Sequence, residues 1–420
     1  MTERAAIVGL ITGHVRRTEA ERSLDELAGL ATTAGANVVL RVLQERDRPD
    51  PGTFLGSGKI ATLAAACEET GVDLVVFDNE LSPAQLRQIE SRLSQKVVDR
   101  TQLILDIFAS RARTREGRLQ VELAQLKYLM PRLVGGSDWL SRLGGGIGTR
   151  GPGETKLEVD RRKIRQRIGH VNTQLEEVRR RRLQLRERRH KASVPTVALV
   201  GYTNAGKTTL FNLLAGEHAL ASDALFVTLD TLVRRVRLAD RRELLVSDTV
   251  GFIDRLPHTL VAAFRATLEE VVAADLLLHV IDAGTPGMEH RVAAVRRTLD
   301  EVGAGDVVSL DVFNKCDLLE PAERERLERR EPDALCISAQ TGLGRAELID
   351  AITARLGLDV RRIVVGLDLS NEADRRRLAQ IYRFGRVAQH TERDGRVMLE
   401  ADVPQRLWSR LQQGNEAEYE

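Results

Sequence analysis

The feature that most constrains this chain is a glycine-rich segment, GYTNAGKTT, at Gly201–Thr209. It follows an apolar run, Val194–Val200, that reads as a strand, and it leads into an amphipathic stretch, Thr209–Ala215, that reads as a helix. A glycine-rich turn in this setting directs backbone N–H groups inward, and the helix adds the positive end of its dipole. The spacing G-x-x-x-x-G-K-[ST] therefore predicts a phosphate-binding loop within an α/β fold.

The polar residues of this loop have separate expected roles. Lys207 is expected to neutralise the β- and γ-phosphates of a nucleotide during catalysis, and the Thr208 hydroxyl is expected to bind Mg²⁺. The other loop residues expected to contact the nucleotide are Gly201, Thr203, Asn204, Ala205, Gly206 and Thr209. A short pattern of this kind also occurs by chance, so the assignment depends on further motifs in the C-terminal half of the chain.

Four apolar runs after the loop read as further strands of one parallel sheet: Leu244–Ser247, Asp275–Ile281, Val307–Phe313 and Leu335–Ile337. The first is followed by Asp248-Thr249-Val250-Gly251. Asp248 is expected to hold Mg²⁺ through water, and the Gly251 amide is expected to bind the γ-phosphate. Open parallel sheets bind ligands at the carboxyl ends of their strands, so these positions agree with a single site.

The last two runs end in Asn314-Lys315-Cys316-Asp317 and in Ser338-Ala339-Gln340, and these residues predict the base. The Asp317 carboxylate can accept two hydrogen bonds from guanine, whereas adenine lacks the donor pair and would leave a buried charge unpaired. Asn314 is expected to brace the pocket, the Lys315 stem to cover one face of the base, and the Ala339 amide to meet guanine O6. Ser338 and Gln340 complete the expected site, whose cofactors are GTP or GDP and Mg²⁺.

These motifs resemble those of the translation-factor-related GTPases over Val194 to roughly Leu356, with N-K-x-D and S-A in the expected order. The best-known small GTPases carry a glutamine after the D-x-x-G glycine to orient the attacking water, and here that position is Phe252. Slow hydrolysis by the free protein is therefore expected. A threonine between the first two motifs should close over Mg²⁺ and the γ-phosphate. Thr228 is the first choice for this role, and Thr231 is the second.

The chain length of 420 residues favours two to four domains. The three cysteines, Cys67, Cys316 and Cys336, show neither paired nor metal-ligand spacing, which indicates a reducing compartment and no zinc site. No apolar run reaches the length of about 18 residues that a membrane span requires. The N-terminal segment lacks the features of a signal peptide. These features predict a cytoplasmic protein whose association with membranes is at most peripheral.

Charge is unevenly distributed along the chain. The net charge is +2, but Arg111–Lys191 contains 22 Lys and Arg against 9 Asp and Glu, a net charge of +13. Such asymmetry favours contact with a polyanion, and the alternative is a solvated helical face with internal ion pairs.

Apolar residues in this basic region follow a heptad spacing. One seam comprises Ile164, Ile168, Val171, Leu175, Val178 and Leu185, with Arg182 at the remaining position, and the other comprises Leu119, Leu123, Leu126 and Met130. The pattern predicts two long helices, Arg100–Leu133 and Glu154–Arg189, that fold back antiparallel around a glycine-rich tip at about 134–153. An intermolecular coiled coil is the alternative. The tip combines glycines with Trp139, Arg142 and Arg150, which suits insertion into folded RNA, although a disordered loop has the same composition.

The N-terminal part alternates strands and helices, with strands expected at Ala5–Ile11, Val38–Val42 and Leu74–Phe77. Within it, Gly56-Ser57-Gly58-Lys59-Ile60 imitates a phosphate loop but lacks the first glycine and the hydroxyl. A helix N-terminus that touches RNA phosphates is the favoured interpretation, and a second nucleotide site is the alternative. The C-terminal part is expected to place two strands, Arg362–Leu367 and Arg396–Ala401, around a helix.

Nearly the whole chain resembles the HflX-type ribosome-associated GTPases. The matching strings include GYTNAGKTT, FVTLD, DTVGF, FLGSGKI, DRTQLILDIFASRA and GGIGTRGPGETKLE. Family members usually have a proline after the FATLD aspartate, whereas Asp230 is followed here by Thr231, which leaves the choice of switch threonine open.

The resemblance implies binding to the large ribosomal subunit and its RNA, or to whole ribosomes, with the hairpin near the peptidyl transferase centre. Some members split stalled ribosomes under stress. The chain is expected to be a monomer off the ribosome and not to bind DNA. The alternative is a GTP-dependent signalling or membrane-recruitment protein that dimerises through its hairpin.

The expected architecture is an α/β protein in four parts. These are an N-terminal α/β subdomain (1–98), a basic helical hairpin (99–192), a P-loop GTPase domain (193–358) and a small α+β C-terminal domain (359–420).

Overall fold

The computed structural model describes residues 2–13, 16–133, 156–191, 194–216, 225–226, 228–229, 232–238, 242–254, 268–393 and 396–409. The chain divides into two compact units. The first comprises Met1–Arg188 with Ser222–Asp230 and Val250–Leu268, and the second comprises Arg189–Ala221, Thr231–Thr249 and Glu269–Glu420. The predicted tip at about 134–153 and Thr231 lie outside the described residues. The four-part domain division stays a prediction.

The first unit is built on a four-stranded parallel sheet with the strand order β2-β1-β3-β4. Its strands are β1 (Arg4–Ile11), β2 (Asn37–Glu45), β3 (Leu74–Phe77) and β4 (Lys96–Asp99). The three strands predicted here are confirmed, and β4 adds a fourth. The strands β1 and β3 are buried almost throughout, as expected for parallel strands covered on both faces.

Three helices alternate with these strands: α1 (Arg17–Thr33), α2 (Ser57–Thr70) and α3 (Pro83–Glu90). Sequence signals define the ends of two of them. The Ser82 hydroxyl accepts a hydrogen bond from the Gln85 amide at the start of α3, and Pro83 occupies the first turn. Gly71 ends α2 in the left-handed conformation with a φ of 62°, which glycine adopts without a steric penalty.

The predicted single helix over Arg100–Leu133 is wrong. The structure has two helices, α4 (Arg100–Arg111) and α5 (Arg115–Leu129), followed by a 3-10 turn at Met130–Arg132. Ala112 is extended, and the Thr114 hydroxyl accepts a hydrogen bond of 3.0 Å from the Gly117 amide, which starts α5. Helix α4 packs on α1 and on the sheet. The apolar seam begins only at Leu119, so it carried no information about the break at residues 112–114.

The antiparallel pairing of the hairpin within the chain is confirmed. Helix α6 (Lys156–Lys191) runs back along α5, and their buried seam contains Leu119, Leu123 and Val171. Arg182, at the irregular seam position, donates a hydrogen bond of 2.8 Å to Glu116. The arginine thus has an acidic partner on the facing helix where the heptad pattern lacks an apolar residue.

The second unit contains a six-stranded sheet with the order β10-β9-β8-β5-β7-β6, parallel except for the antiparallel pair β6 and β7. Its strands are β5 (Thr196–Gly201), β6 (Leu232–Arg237), β7 (Glu243–Asp248), β8 (Leu276–Asp282), β9 (Ser309–Asn314) and β10 (Leu335–Cys336). All five predicted strands are confirmed. The edge strand β6 was not predicted, because arginines occupy half of its positions.

The helices beside this sheet that lie wholly within the described residues are α7 (Lys207–Ala215), α8 (Met288–Glu301), α9 (Pro321–Arg330) and α10 (Arg345–Arg355). The parallel register aligns the strand ends, so that Gly201 lies opposite Val280, Asp282 opposite Asn314 and Cys336 opposite Phe313. The loops that carry the sequence motifs therefore leave the sheet from the same edge.

A smaller antiparallel sheet closes the second unit, with the order β11-β13-β12. Its elements are β11 (Val360–Asp368), α11 (Glu372–Phe384), β12 (Arg386–Arg393) and β13 (Arg396–Pro404). The two predicted C-terminal strands and the helix are confirmed. Strand β12 was missed because its side chains are nearly all exposed and show no apolar alternation. Among the described residues, no helix is both long and apolar enough to cross a membrane.

Candidate functional site

The loop between β5 and α7 has a backbone that only glycine tolerates at two positions. Gly201 has a φ of 152°, and a Cβ there would collide with the Val280 carbonyl oxygen. Gly206 has a φ of 90°, and a Cβ there would collide with the Asn314 amide nitrogen. Asn204 also has a positive φ, 60°. Both glycines of the motif are therefore required by close contacts with other strands of the sheet.

Lys207 is enclosed by this loop. Its side-chain nitrogen donates hydrogen bonds to the carbonyl oxygens of Gly201, at 3.1 Å, and Tyr202, at 2.8 Å. Burial lowers the pKa of Lys207 to about 8, and the nearby Asp248 carboxylate partly opposes that shift. The ammonium is thus held at the inner side of the loop, and its direct hydrogen-bond partners are neutral carbonyls. A phosphate oxygen would be a far stronger partner for it.

Thr208 and Asp248 face each other at the ends of α7 and β7. The Thr208 hydroxyl donates a hydrogen bond of 2.8 Å to the Asp248 carboxylate, which is fully buried. A hydroxyl and a carboxylate oxygen fit the oxygen-ligand preference of Mg²⁺. The described residues contain no cluster of three or more His, Cys, Asp or Glu able to hold a metal. An ion at this pair would therefore need further oxygen ligands, such as phosphate oxygens and water, to complete its coordination.

Thr203 supplies a buried polar group at the same loop. Its side chain is 4% exposed, and its hydroxyl oxygen has no hydrogen-bond partner among the described residues. An unsatisfied buried hydroxyl costs about 1–3 kcal/mol, so a bound group that accepts or donates a hydrogen bond here would relieve a penalty. This position fits the edge of a phosphate site.

Asn314 links the phosphate loop to the last motif. Its side-chain nitrogen donates to the Ala205 carbonyl oxygen at 2.9 Å, and its side-chain oxygen accepts from the Ala339 amide at 2.8 Å. Asn314 is 2% exposed, so both bonds are shielded from water. Two loops that are distant in sequence are thereby fixed to one side chain.

The residues around Asn314 form the end of the site that is expected to bind guanine. Lys315 has a φ of 64° and donates a hydrogen bond of 2.7 Å to Asp282. Asp317 is exposed and makes no hydrogen bond or ion pair with the described residues, which leaves its carboxylate available to a ligand. Ser338 is buried, its hydroxyl accepts from the Thr341 amide, and the neighbouring Gln340 is exposed.

Comparisons with known proteins agree with this geometry. Three family models match the chain: "GTP-binding GTPase N-terminal" over residues 21–109, "GTP-binding GTPase Middle Region" over 111–189, and "50S ribosome-binding GTPase" over 196–315. GTPase HflX of Escherichia coli K12 is 47% identical over 92% of this chain and 91% of the relative. GTPase HflX of Lacrimispora saccharolytica is 45% identical over 97% of this chain and 95% of the relative.

The chain belongs to the HflX family of GTPases. It binds guanine nucleotide and hydrolyses GTP. A solved GTP-binding protein from Sulfolobus solfataricus in complex with GDP matches 84% of this chain and 98% of its own chain, at 22% identity and a TM-score of 0.43.

Two segments expected to sense the γ-phosphate in this HflX-family chain are grouped with the first unit. They are Ser222–Asp230, which includes Thr228, and Val250–Leu268, which includes Gly251. Thr228 is half-buried, and Gly251 is buried. The structure thus assigns the phosphate-loop and guanine residues to one compact unit, and Thr228 and Gly251 to the other.

Contacts inside the first unit hold both segments, and sequence reasoning missed them. The Phe226 ring is buried with a φ of 55° and packs edge-on against Phe108 at a centroid distance of 4.7 Å. The Leu225 amide donates a hydrogen bond of 3.1 Å to the Thr33 hydroxyl. Arg100 donates to the Asp254 carbonyl oxygen at 3.3 Å. The only indication of such a contact in the sequence is the single aromatic residue of FVTLD, Phe226.

Two further residues complete the comparison with the sequence. Phe252 is 4% exposed, so its ring packs in the interior at the position where small GTPases carry glutamine. Asp282, the partner of Lys315, was also missed. Its signal was its place directly after the apolar run Asp275–Ile281.

Proposed function

We propose that this HflX-family GTPase binds the large ribosomal subunit through the basic face of α6 and couples GTP hydrolysis to splitting or rescuing stalled ribosomes in the cytoplasm. The observation that carries the proposal is a set of exposed basic side chains on α6 without acidic partners among the described residues. They are Lys163, Arg165, Arg180 and Arg181, and none makes a hydrogen bond or ion pair with the described residues.

The spacing of these residues suits an extended polyanion. Lys163 and Arg181 are 18 positions apart. This separation is five helical turns, so both residues lie on the same side of α6, roughly 27 Å from each other along its axis. When unpaired cations along a rigid helix bind RNA phosphates, counterions condensed on the RNA are released. This release favours binding to a folded RNA such as that of the large subunit.

Packing of the hairpin argues against the alternative of a dimer or membrane-recruitment module. The seam residues Leu119, Leu123 and Val171 bury one another within the chain. A coiled coil between two chains would have to displace this pairing. We infer a monomer off the ribosome, and the basic outer face of α6 is then the surface offered to a partner. The description of the matched GTPase family model, a 50S ribosome-binding GTPase, supports the same choice.

Roles at the nucleotide follow from the site. Lys207 would bind the β- and γ-phosphates, and Asp317 would read guanine with the help of Lys315, Ser338, Ala339 and Gln340. Thr208 and Asp248 would hold Mg²⁺ with the switch residue Thr228, and that ion would neutralise developing charge on the phosphates. The Gly251 amide would contact the γ-phosphate. Phe252 cannot orient water, so ribosome binding would have to supply the stimulation that a glutamine gives elsewhere.

The test is the salt dependence of co-sedimentation with purified large subunits in the presence of a GTP analogue. Replacing Arg165, Arg180 and Arg181 with glutamine should weaken binding and reduce the slope of log affinity against log salt by about one unit for each phosphate that is no longer neutralised. The matched control replaces Arg324, Arg329 and Arg330 of α9, which all have acidic partners, and should leave the slope unchanged. Equal slopes for both triple variants would contradict the proposal.

Splitting is tested on whole ribosomes. The parent protein with a GTP analogue should convert 70S particles into subunits on a sucrose gradient, and the α6 variant should do so only at low salt. Particles that stay intact at every protein concentration, despite normal subunit binding, would restrict the proposal to binding without splitting.

A further inference from the structure

We propose that Cys316 and Cys336 form a peroxide-sensitive pair, and that their oxidation to an intramolecular disulfide weakens guanine-nucleotide binding. The proposal goes beyond the ribosome role and depends only on the nucleotide site. Neither thiol takes part in the chemistry described above, although both lie close in sequence to the residues expected to bind guanine.

Backbone hydrogen bonds hold the two cysteines side by side. Strand β10 ends at Cys336, which lies opposite Phe313 in the sheet register. The Ile337 amide donates to the Phe313 carbonyl oxygen at 2.8 Å, and the Cys316 amide donates to the Ile337 carbonyl oxygen at 3.0 Å. The chain at Cys316 therefore folds back against the end of β10, which brings the two cysteines onto neighbouring segments.

The side chains continue this contact. Cys316 is 2% exposed, and its sulfur lies 3.2 Å from the Phe313 carbonyl oxygen. Cys336 packs against the same apolar cluster, which contains Cys316. Cys336 is only partly buried, so a small oxidant can reach it while Cys316 stays protected.

The environment gives the two thiols different roles. The neighbouring Cys316 thiol lowers the pKa of Cys336, and the Arg324 guanidinium acts in the same direction. Proximity to Cys336, together with burial, raises the pKa of Cys316. Cys336 is thus the better thiolate and the nucleophile, and Cys316 is the resolving thiol.

Hydrogen peroxide supplies the oxidant. The Cys336 thiolate attacks one peroxide oxygen, the O–O bond breaks, and hydroxide leaves and takes up a proton to form water. The product is a sulfenic acid on Cys336. The Cys316 sulfur then attacks the Cys336 sulfur, the S–O bond breaks, and a second water leaves with the thiol proton. Two thiols are oxidised, and one peroxide is reduced to two waters.

The disulfide would act on the guanine end of the site. A covalent bridge with its own preferred geometry would replace the noncovalent packing between the two segments, so the bridge and not the nucleotide would set their positions. Asp317 follows Cys316 directly, and Ala339 lies three residues after Cys336. The Asn314 bridge between Ala205 and Ala339 depends on these same loops. Shifting them should weaken the hydrogen bonds to the base.

The experiment measures the affinity of the isolated, full-length protein for fluorescent GDP before and after treatment with hydrogen peroxide. Peptide mapping should find a Cys316–Cys336 disulfide, GDP should bind about tenfold more weakly, and a reducing agent should restore binding. Cys336→Ala should bind GDP normally when reduced and lose the response. In Cys316→Ala, a sulfenic acid should be trapped on Cys336 by dimedone.

The third cysteine provides the control. Cys67 is fully buried in the first unit, and burial raises its pKa, so Cys67→Ala should keep the whole response. Three results would overturn the proposal: both thiols still alkylate after peroxide, the disulfide forms without a change in GDP affinity, or Cys336→Ala still responds. Ribosomes are absent from the assay, so its outcome is independent of the ribosome proposal.

Discussion

Two segments of this chain place glycines and a lysine between a strand of a parallel sheet and a helix, and their structures differ sharply. In the loop that ends at Lys207, both motif glycines have positive φ angles, and the lysine is buried against two carbonyl groups. In the imitation that ends at Lys59, Gly56 is extended with a φ of −65°, helix α2 already begins at Ser57, and the lysine is half-buried.

The surroundings differ as much as the backbones. The Gly56 amide already donates a hydrogen bond of 3.2 Å to the Gln44 side chain, and the space in front of Gly56 is occupied by Arg46. The loop that contains Gly206 is instead held by the hydrogen bond from Asn314 to the Ala205 carbonyl oxygen, and its inner side is left for a ligand. The comparison teaches that the spacing of the glycines and the partners behind the loop, and not the residue types alone, prepare a phosphate site.

The largest effect should come from replacing each of the two lysines with alanine. Lys207→Ala removes the cation at the β- and γ-phosphates, so GTP hydrolysis should fall by about a thousandfold and nucleotide binding should weaken. Lys59→Ala is the matched control and should change neither quantity. Phosphate release and nucleotide titration measure both. Comparable losses in the two variants would break the distinction between the loops.

A smaller effect, on specificity, should follow from Asp317→Asn. The amide cannot accept two hydrogen bonds from guanine but can pair with the extra carbonyl of xanthine, so GTP affinity should fall about a hundredfold while xanthosine triphosphate gains. Competition titrations with the two nucleotides give the ratio. An unchanged preference for guanine would show that the exposed carboxylate is not the base reader.

The smallest effects should come from adding one methyl group to each loop. Gly206→Ala forces a Cβ against Asn314 at a positive φ and should weaken GDP binding about tenfold. Gly58→Ala meets no atom within 4 Å and lies inside α2, so it should stabilise the protein by roughly 0.5–1 kcal/mol. GDP titration and thermal unfolding test the pair. Equal tolerance of both methyl groups would mean that the genuine loop is not under this constraint.

Most of the nucleotide site was predictable because each of its residues stands at the end of an apolar run. Such runs form buried parallel strands, and parallel strands deliver their carboxyl ends to one edge, so Lys207, Asp248, Asn314 and Ala339 could be placed together without knowing any distance. The break between α4 and α5 was less accessible, because Thr114 starts α5 through a single capping hydrogen bond.

The sequence by itself determined the α/β fold, the order of the strands that carry motifs, the guanine nucleotide and the basic hairpin. These properties depend on local periodicity and on residue types at short spacings. Such patterns can be interpreted without knowing which distant segments contact one another. The tertiary structure decided the rest: the anchoring of Phe226 on Phe108, the link from Asn314 to two loops, and the packing of Cys316 and Cys336 against one apolar cluster. Each of these joins residues that are far apart or that pair across strand ends. Their contacts depend on the packing of whole elements, which no short stretch of sequence encodes.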